Sequence, residues 1–205
     1  MKLIGDVHGK FYNLKKILHS TEDKCIVLGD LGIGFPGVGD NPLFRKNMKF
    51  IRGNHDKPSA CRVHSQYLGD FGYLPDLRMF FVGGAISVDA VSRTPGVDWW
   101  DDEHLSYGEL VKAIEIYEKE KPEIVISHDC PWEITQDICQ YTIEKNPYKA
   151  IYGSPKMYST NMAFDQMLSI HRPKKWIFGH WHESFEKEVN GTLFKCLDEL
   201  EVMDL

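Results

Sequence analysis

Five short apolar runs, each leading into metal-ligating residue types and four of them through a glycine, constrain this fold more than any other feature of the chain. Residues 2–4, 25–28, 50–51, 124–126 and 176–178 are rich in β-branched or aromatic side chains and read as strands. Runs apolar on both faces suit central strands covered on each side, so they point to an α/β protein. They lead into GDVHG at 5–9, GDLG at 29–32, GNHD at 53–56, SHD at 127–129 and GHWH at 179–182. Groups at strand carboxyl ends converge in such sheets. Gly5, Gly29, Gly53 and Gly179 each directly precede a ligand type, where a missing Cβ lets backbone turn sharply or approach an ion.

The five words supply Asp6, His8, Asp30, Asn54, His128, His180 and His182, all oxygen or imidazole donors and no thiolate. That mixture suits two divalent ions, Mn²⁺ first and otherwise Fe, Ni²⁺ or Zn²⁺. It does not suit a thiolate zinc site or an all-oxygen calcium cage.

In these residues the chain resembles the calcineurin-like metallophosphoesterases, whose pattern is D-x-H, GD, GNH with Asp or Glu, a lone His, and GHxH. The match runs from the first strand to GHWH, about nine-tenths of the chain, with Asp6 to Asp30 and Asp30 to Asn54 each 24 residues apart. The resemblance implies a single domain over 1–205 with a four-layer α/β sandwich, two mixed β-sheets flanked by helices. It implies that Asp6, His8 and His182 hold one ion, that Asn54, His128 and His180 hold the other, and that Asp30 bridges both. It places Asn54 near substrate as well. His55 is then not a ligand: it assists the leaving oxygen, with Asp56 as its orienting partner. The chemistry is consistent. Two ions roughly 3.5–4 Å apart acidify a shared water and clamp phosphoryl oxygens, leaving an alkoxide that needs a proton or a positive neighbour. An imidazole near neutral pKa supplies either, and a carboxylate can fix its tautomer.

One departure matters. The protein-phosphatase branch continues GD as GDxxDRG, its arginine gripping phosphate, whereas Ile33 and Gly34 stand here in place of that Asp and Arg. Arg52, just before GNHD, and Arg93, in a Gly/Pro-bounded loop, are the candidates to grip phosphate instead. The glycine-rich stretch 32–40 lacks the Lys-Ser/Thr pair of a phosphate loop and reads as a rim of the site. Within 83–105 the pair Trp99-Trp100 precedes three acids. It is expected to anchor that loop rather than to stack on a flat substrate part. The expected substrate is a small phosphoester, nucleotide-like or a phosphodiester, because few residues remain beyond the minimal fold to build a cap. The alternatives are a serine/threonine protein phosphatase, disfavoured at Gly34, and a catalytically idle protein-binding scaffold. The scaffold is disfavoured because all seven ligand positions and His55 are present.

The rest of the chain reads as ordinary and soluble. At 205 residues it is long enough for one full core. Leu14 and Leu18 with Phe11, then Leu110, Ala113, Ile114 and Tyr117, then Phe164, Met167, Leu168 and His171 form helical stripes. Ser106 and Glu109 resemble a capping box for the second, and Pro122 and Pro173 close the second and third. No run of eighteen apolar residues suggests a membrane span, and the opening strand leaves no room for a signal peptide, so a cytoplasmic protein is expected. Five cysteines without CxxC spacing read as free thiols. A net charge of −6 disfavours non-specific nucleic-acid binding. His19, His64, His104 and His171, and Asp70, Asp76, Asp89 and Asp198, lie outside the motif words and read as capping, turn or surface residues.

Overall fold

Alternation along short strands divides the apolar residues among three cores, and this sets the architecture. The computed structural model describes residues 1–39, 45–146 and 159–205, so Asp40 at the end of the glycine-rich rim lies outside the described residues. Among these, β1 (Lys2–Ile4), β2 (Cys25–Val27), β3 (Met48–Phe50) and β10 (Val202–Asp204) form one sheet in the order β10-β1-β2-β3. A second sheet holds β4 (Phe71–Leu74), β5 (Met79–Val82), β6 (Ile124–Ser127), β7 (Lys175–Phe178), β8 (Phe185–Val189) and β9 (Thr192–Cys196) in the order β4-β5-β6-β7-β9-β8. Both are mixed: β1, β2 and β3 are parallel, as are β5, β6, β7 and β9, with antiparallel strands at the edges.

Successive side chains on a strand face opposite ways. On β2, Cys25 and Val27 face outward, where Leu14 and Leu18 of α1 (Phe11–His19) and Ala60 and Cys61 of α2 (Pro58–Arg62) cover them. Ile26 and Leu28 face inward and join Leu3, Ile51, Met79, Phe81, Ile126 and Ile177 between the sheets. Phe80, Val82, Val125, Trp176 and Phe178 face the opposite outside, under α3 (Tyr107–Glu120), α4 (Trp132–Lys145) and α5 (Ser159–Ile170). The result is the helix–sheet–sheet–helix sandwich expected from the sequence. No helix among the described residues is long and apolar enough to cross a membrane.

The five expected strands correspond to β1, β2, β3, β6 and β7 with shifted ends; β3 starts at Met48, and Ile51 lies just beyond it. Ser106 and Glu109 make the expected reciprocal cap of α3. His171 bonds the Pro122 carbonyl and His19 the Lys15 carbonyl, as imidazoles near helix ends do. All five cysteines are buried and free, and burial pushes the Cys130 thiol well above its ordinary value. Asp70 departs from the surface reading: it accepts from Arg52, Arg62 and Tyr67 in a half-buried cluster.

Candidate metal centre and its surroundings

Parallel strands β1, β2 and β3 and, in the facing sheet, β6 and β7 end at one edge of the sandwich, and the motif words meet there. Asp6, His8, Asp30 and His182 bring ligand atoms within 4.8 Å of one another, and so do Asp30, His128 and His180. Asp30 belongs to both groups. Its Oδ2 lies 3.6 Å from His8 Nε2 and its Oδ1 3.2 Å from His128 Nε2. His8 Nε2 and His182 Nε2 face each other at 2.8 Å, with Asp6 Oδ2 3.1 Å from His182. Asn54 Oδ1 lies 3.1 Å from His128 Nε2 and 3.0 Å from His180 Nδ1. His128 Nδ1 donates to the Leu28 carbonyl at 2.7 Å, which turns Nε2 toward the cluster. Two pockets of oxygen and imidazole donors sharing one carboxylate suit two divalent ions.

The backbone makes this convergence possible at some cost. His8, Asp30, His180 and His182 all have left-handed backbone, φ 46°, 50°, 68° and 50°, a conformation non-glycine residues seldom adopt. Glycine is required beside them: a Cβ on Gly53 would run into the Asp30 carboxylate, and one on Gly179 into that of Asp6.

Charge coupling holds the acids ionised. Burial opposes it, but His182 and His8 pull Asp6 down to about 2, and His128 and His55 hold Asp30 well below the usual carboxylate range. Against its own burial, His128 is raised to about 10 by Asp30 and Asp6. Below that pH, a cation entering its half of the site has to displace a proton. Mn²⁺ affinity of the metal-free chain is therefore expected to rise between about pH 6 and 9, with proton release on binding. Calorimetry in buffers of different ionisation enthalpy measures both, and a pH-independent affinity would contradict the coupling.

His55 stands at the edge of this cluster. Its ring is 4.9 Å from that of His8, and its backbone N–H donates to Asp30 Oδ1 at 2.7 Å. Arg93 Nη2 donates to His55 Nε2, and Arg93 is held in turn by Asp89 at 2.8 Å. Phe35 stacks on the other side of His55 at 5.2 Å, and Trp100 meets Phe35 edge-on at 5.3 Å. Burial, with help from the Arg93 charge, lowers His55 to about 4, so the imidazole is neutral at neutral pH.

Two expected roles need correction. Asp56 does not orient His55. Its carboxylate accepts from the backbone N–H groups of Leu31, Gly32, Ile33 and Gly53 at 2.8–3.2 Å, pinning the GDLG loop to the GNHD loop. Burial and Asp30 push this carboxyl up to about 6 against those four donors. Arg52 is not placed to grip phosphate. It is fully buried, donating to Asp70 Oδ1 at 2.6 Å and to the Glu103 carbonyl. Arg93, the other candidate, lies at the edge of the donor cluster beside His55.

Three contributors escaped the sequence reading. Ser87 accepts from Asn54 Nδ2 at 3.0 Å and donates from both N–H and Oγ to Glu103 at 2.6 Å. Burial raises the Glu103 carboxyl, and these two donors oppose the shift. The buried Asp129 accepts from Trp181 Nε1 and Asn161 Nδ2, bracing the GHWH turn against α5. The available signals were a serine directly after the GGAI turn, an acid following the tryptophan pair, and the acid of SHD.

No curated protein matches the chain. The calcineurin-like phosphoesterase model matches residues 2–184 of the 205, with every motif word inside that span. With that match laid over two donor groups that share Asp30, the chain belongs to the calcineurin-like phosphoesterase family.

Proposed function

We propose that the chain is a hydrolase of small phosphoesters that works with two divalent ions. The observation that carries this reading is Asp30 shared between two donor groups, with His55 and the Arg93 guanidinium bonded to it directly beside them. Asp6, His8, Asp30 and His182 would hold one ion; Asp30, Asn54, His128 and His180 would hold the other. When bound, the ions supply Lewis acidity toward water and the phosphoryl oxygens. The chain's own residues do the rest. Arg93 offers planar N–H donors to the phosphoryl group and can exchange its bond to His55 for one to substrate. His55, lowered by burial and the Arg93 charge, is raised again by the charge of a bound phosphate and is then able to protonate the leaving oxygen. Phe35 and Trp100 wall this side and exclude water.

Gly34 bears on the protein-phosphatase alternative. Its backbone is left-handed at φ 83°, and a Cβ there would strike the Lys57 side chain. The loop therefore has no room for the arginine of that branch.

The test is hydrolysis of p-nitrophenyl phosphate against bis(p-nitrophenyl) phosphate by metal-stripped protein, titrated with Mn²⁺, Ni²⁺, Zn²⁺ and Mg²⁺. Metal-restored cleavage is expected, and the ratio of rates separates monoester from diester substrates. A well-folded sample that cleaves neither ester with any ion would favour the scaffold reading. Arg93→Ala is expected to lower kcat/KM by about tenfold or more, mostly through KM. Arg93→Lys should recover only part of this, since a lysine lacks the fork. An unchanged KM in both variants would remove Arg93 from the site.

A further inference from the structure

We propose that Ser87 and Glu103 are positioning residues that decide which end of the Asn54 amide faces the His128–His180 half of the metal centre. The inference rests on the reading above that Asn54 Oδ1 is a ligand.

The two ends of an amide have nearly the same shape and opposite chemistry. Only the oxygen carries a lone pair for a cation, so a flipped Asn54 would turn its NH₂ toward the ion. The contacts around the amide select one orientation. An ionised carboxylate can only accept hydrogen bonds. Glu103 takes the Ser87 N–H on Oε1 and the Ser87 hydroxyl on Oε2, both at 2.6 Å. The hydroxyl has a single hydrogen, and Glu103 has claimed it. Lone pairs are what Ser87 then presents to Asn54, and Nδ2, 3.0 Å away, is the end that can donate to them. The opposite orientation would set Oδ1 against those lone pairs. Asn54, Ser87 and Glu103 are 2%, 3% and 1% exposed, so water cannot relieve such a mismatch. Arg52 anchors the far end: it donates to the Glu103 carbonyl, and its own carbonyl accepts from Gly84 N–H at 2.7 Å. The buried arginine thus fastens the 83–105 loop to the GNHD word.

Glu103→Gln tests the polarity of this chain with almost no change of shape. The oxygen of the new amide stays on the Ser87 N–H, and its NH₂ meets Ser87 Oγ. The hydroxyl hydrogen is then freed to point at Asn54, which favours Oδ1 on that side. With Mn²⁺ titrated into the metal-free protein, one ion is expected to bind about 10–100-fold more weakly and the other nearly as in the wild type. Asn54→Asp provides the rescue, because an aspartate has oxygen at both ends. Alone it sets an acceptor against Ser87. Combined with Glu103→Gln it receives the freed hydrogen, so Glu103→Gln, harmful alone, should raise both Mn²⁺ affinity and the melting midpoint in the Asn54→Asp background. Such a reversal of sign is a coupling that independent structural damage does not produce.

A folded Glu103→Gln protein binding both ions as the wild type does, while Asn54→Ala loses one, would overturn the relay and leave the ligand reading intact. If Asn54→Ala also binds both ions normally, the ligand reading fails and the relay with it. Should Glu103→Gln not fold, Asn54→Asp with and without Glu103→Gln decides. Improvement supports the relay, and equal or poorer behaviour overturns it.

Discussion

Replacing His55 by alanine is expected to lower turnover of an alkyl phosphoester by about 10²–10⁴-fold while the chain still folds and binds two ions. The side chain lies beside the donor groups rather than within them, so its removal takes no ligand away. Its contacts are Arg93, Phe35 and the ring of His8. The deficit should be in kcat more than in KM, because help to a leaving oxygen is given only as the bond breaks. It should shrink when the leaving group is a good one such as p-nitrophenolate. Metal content measured beside the rates separates this from loss of the centre. Unchanged turnover on both esters would mean that His55 does not act on the leaving group.

Asp56→Ala is expected to show the opposite profile, with a large loss of stability. Its removal strands four backbone N–H groups, those of Leu31, Gly32, Ile33 and Gly53, in a buried setting. An unsatisfied buried donor costs about 1–3 kcal/mol, and relaxation of the loops recovers part of the sum, so about 3–5 kcal/mol is expected. For a chain of this size that lowers the melting midpoint by roughly 10 °C or more. Asp56→Asn keeps one acceptor and should fall between. If Asp56 instead oriented His55, the variant would keep its midpoint and lose kcat alone. A thermal melt in chelator decides between the two roles.

These two neighbours show where sequence reading succeeds and where it stops. GNHD sits at a strand end, and its second and third residues come to the cluster, as the spacing of the motif words implies. The fourth was expected to serve its neighbour because it adjoins it. In the fold its carboxylate turns to a loop more than twenty residues earlier in the chain. Adjacency in sequence does not fix side-chain direction in a turn. Arg52 is one of two candidates for a phosphate contact because it adjoins GNHD, yet Asp70 and the Glu103 carbonyl hold it under the loop. Ser87 and Glu103 lie sixteen residues apart in irregular chain, with no periodicity to reveal their pairing. The central strands β1, β2, β6 and β7 were legible because a buried apolar run on each leads into a motif word; β5, buried at every residue, leads into no such word and was not read. The edge strands β8 and β10 were not, since they carry exposed residues such as Glu186, Lys187 and Val202 and mix with ordinary surface sequence.

The left-handed backbone at His8, Asp30, His180 and His182 bears on anyone who would transplant this centre into another scaffold. Each such residue costs roughly 1–2 kcal/mol relative to right-handed backbone, a cost that Asp and His bear more readily than most residue types. A graft that copies the seven side chains onto regular strands or helices would aim several of them wrongly, even with every identity correct. The portable unit is the bent main chain with its flanking glycines and the Asp56 clamp, and the ligands are its last addition.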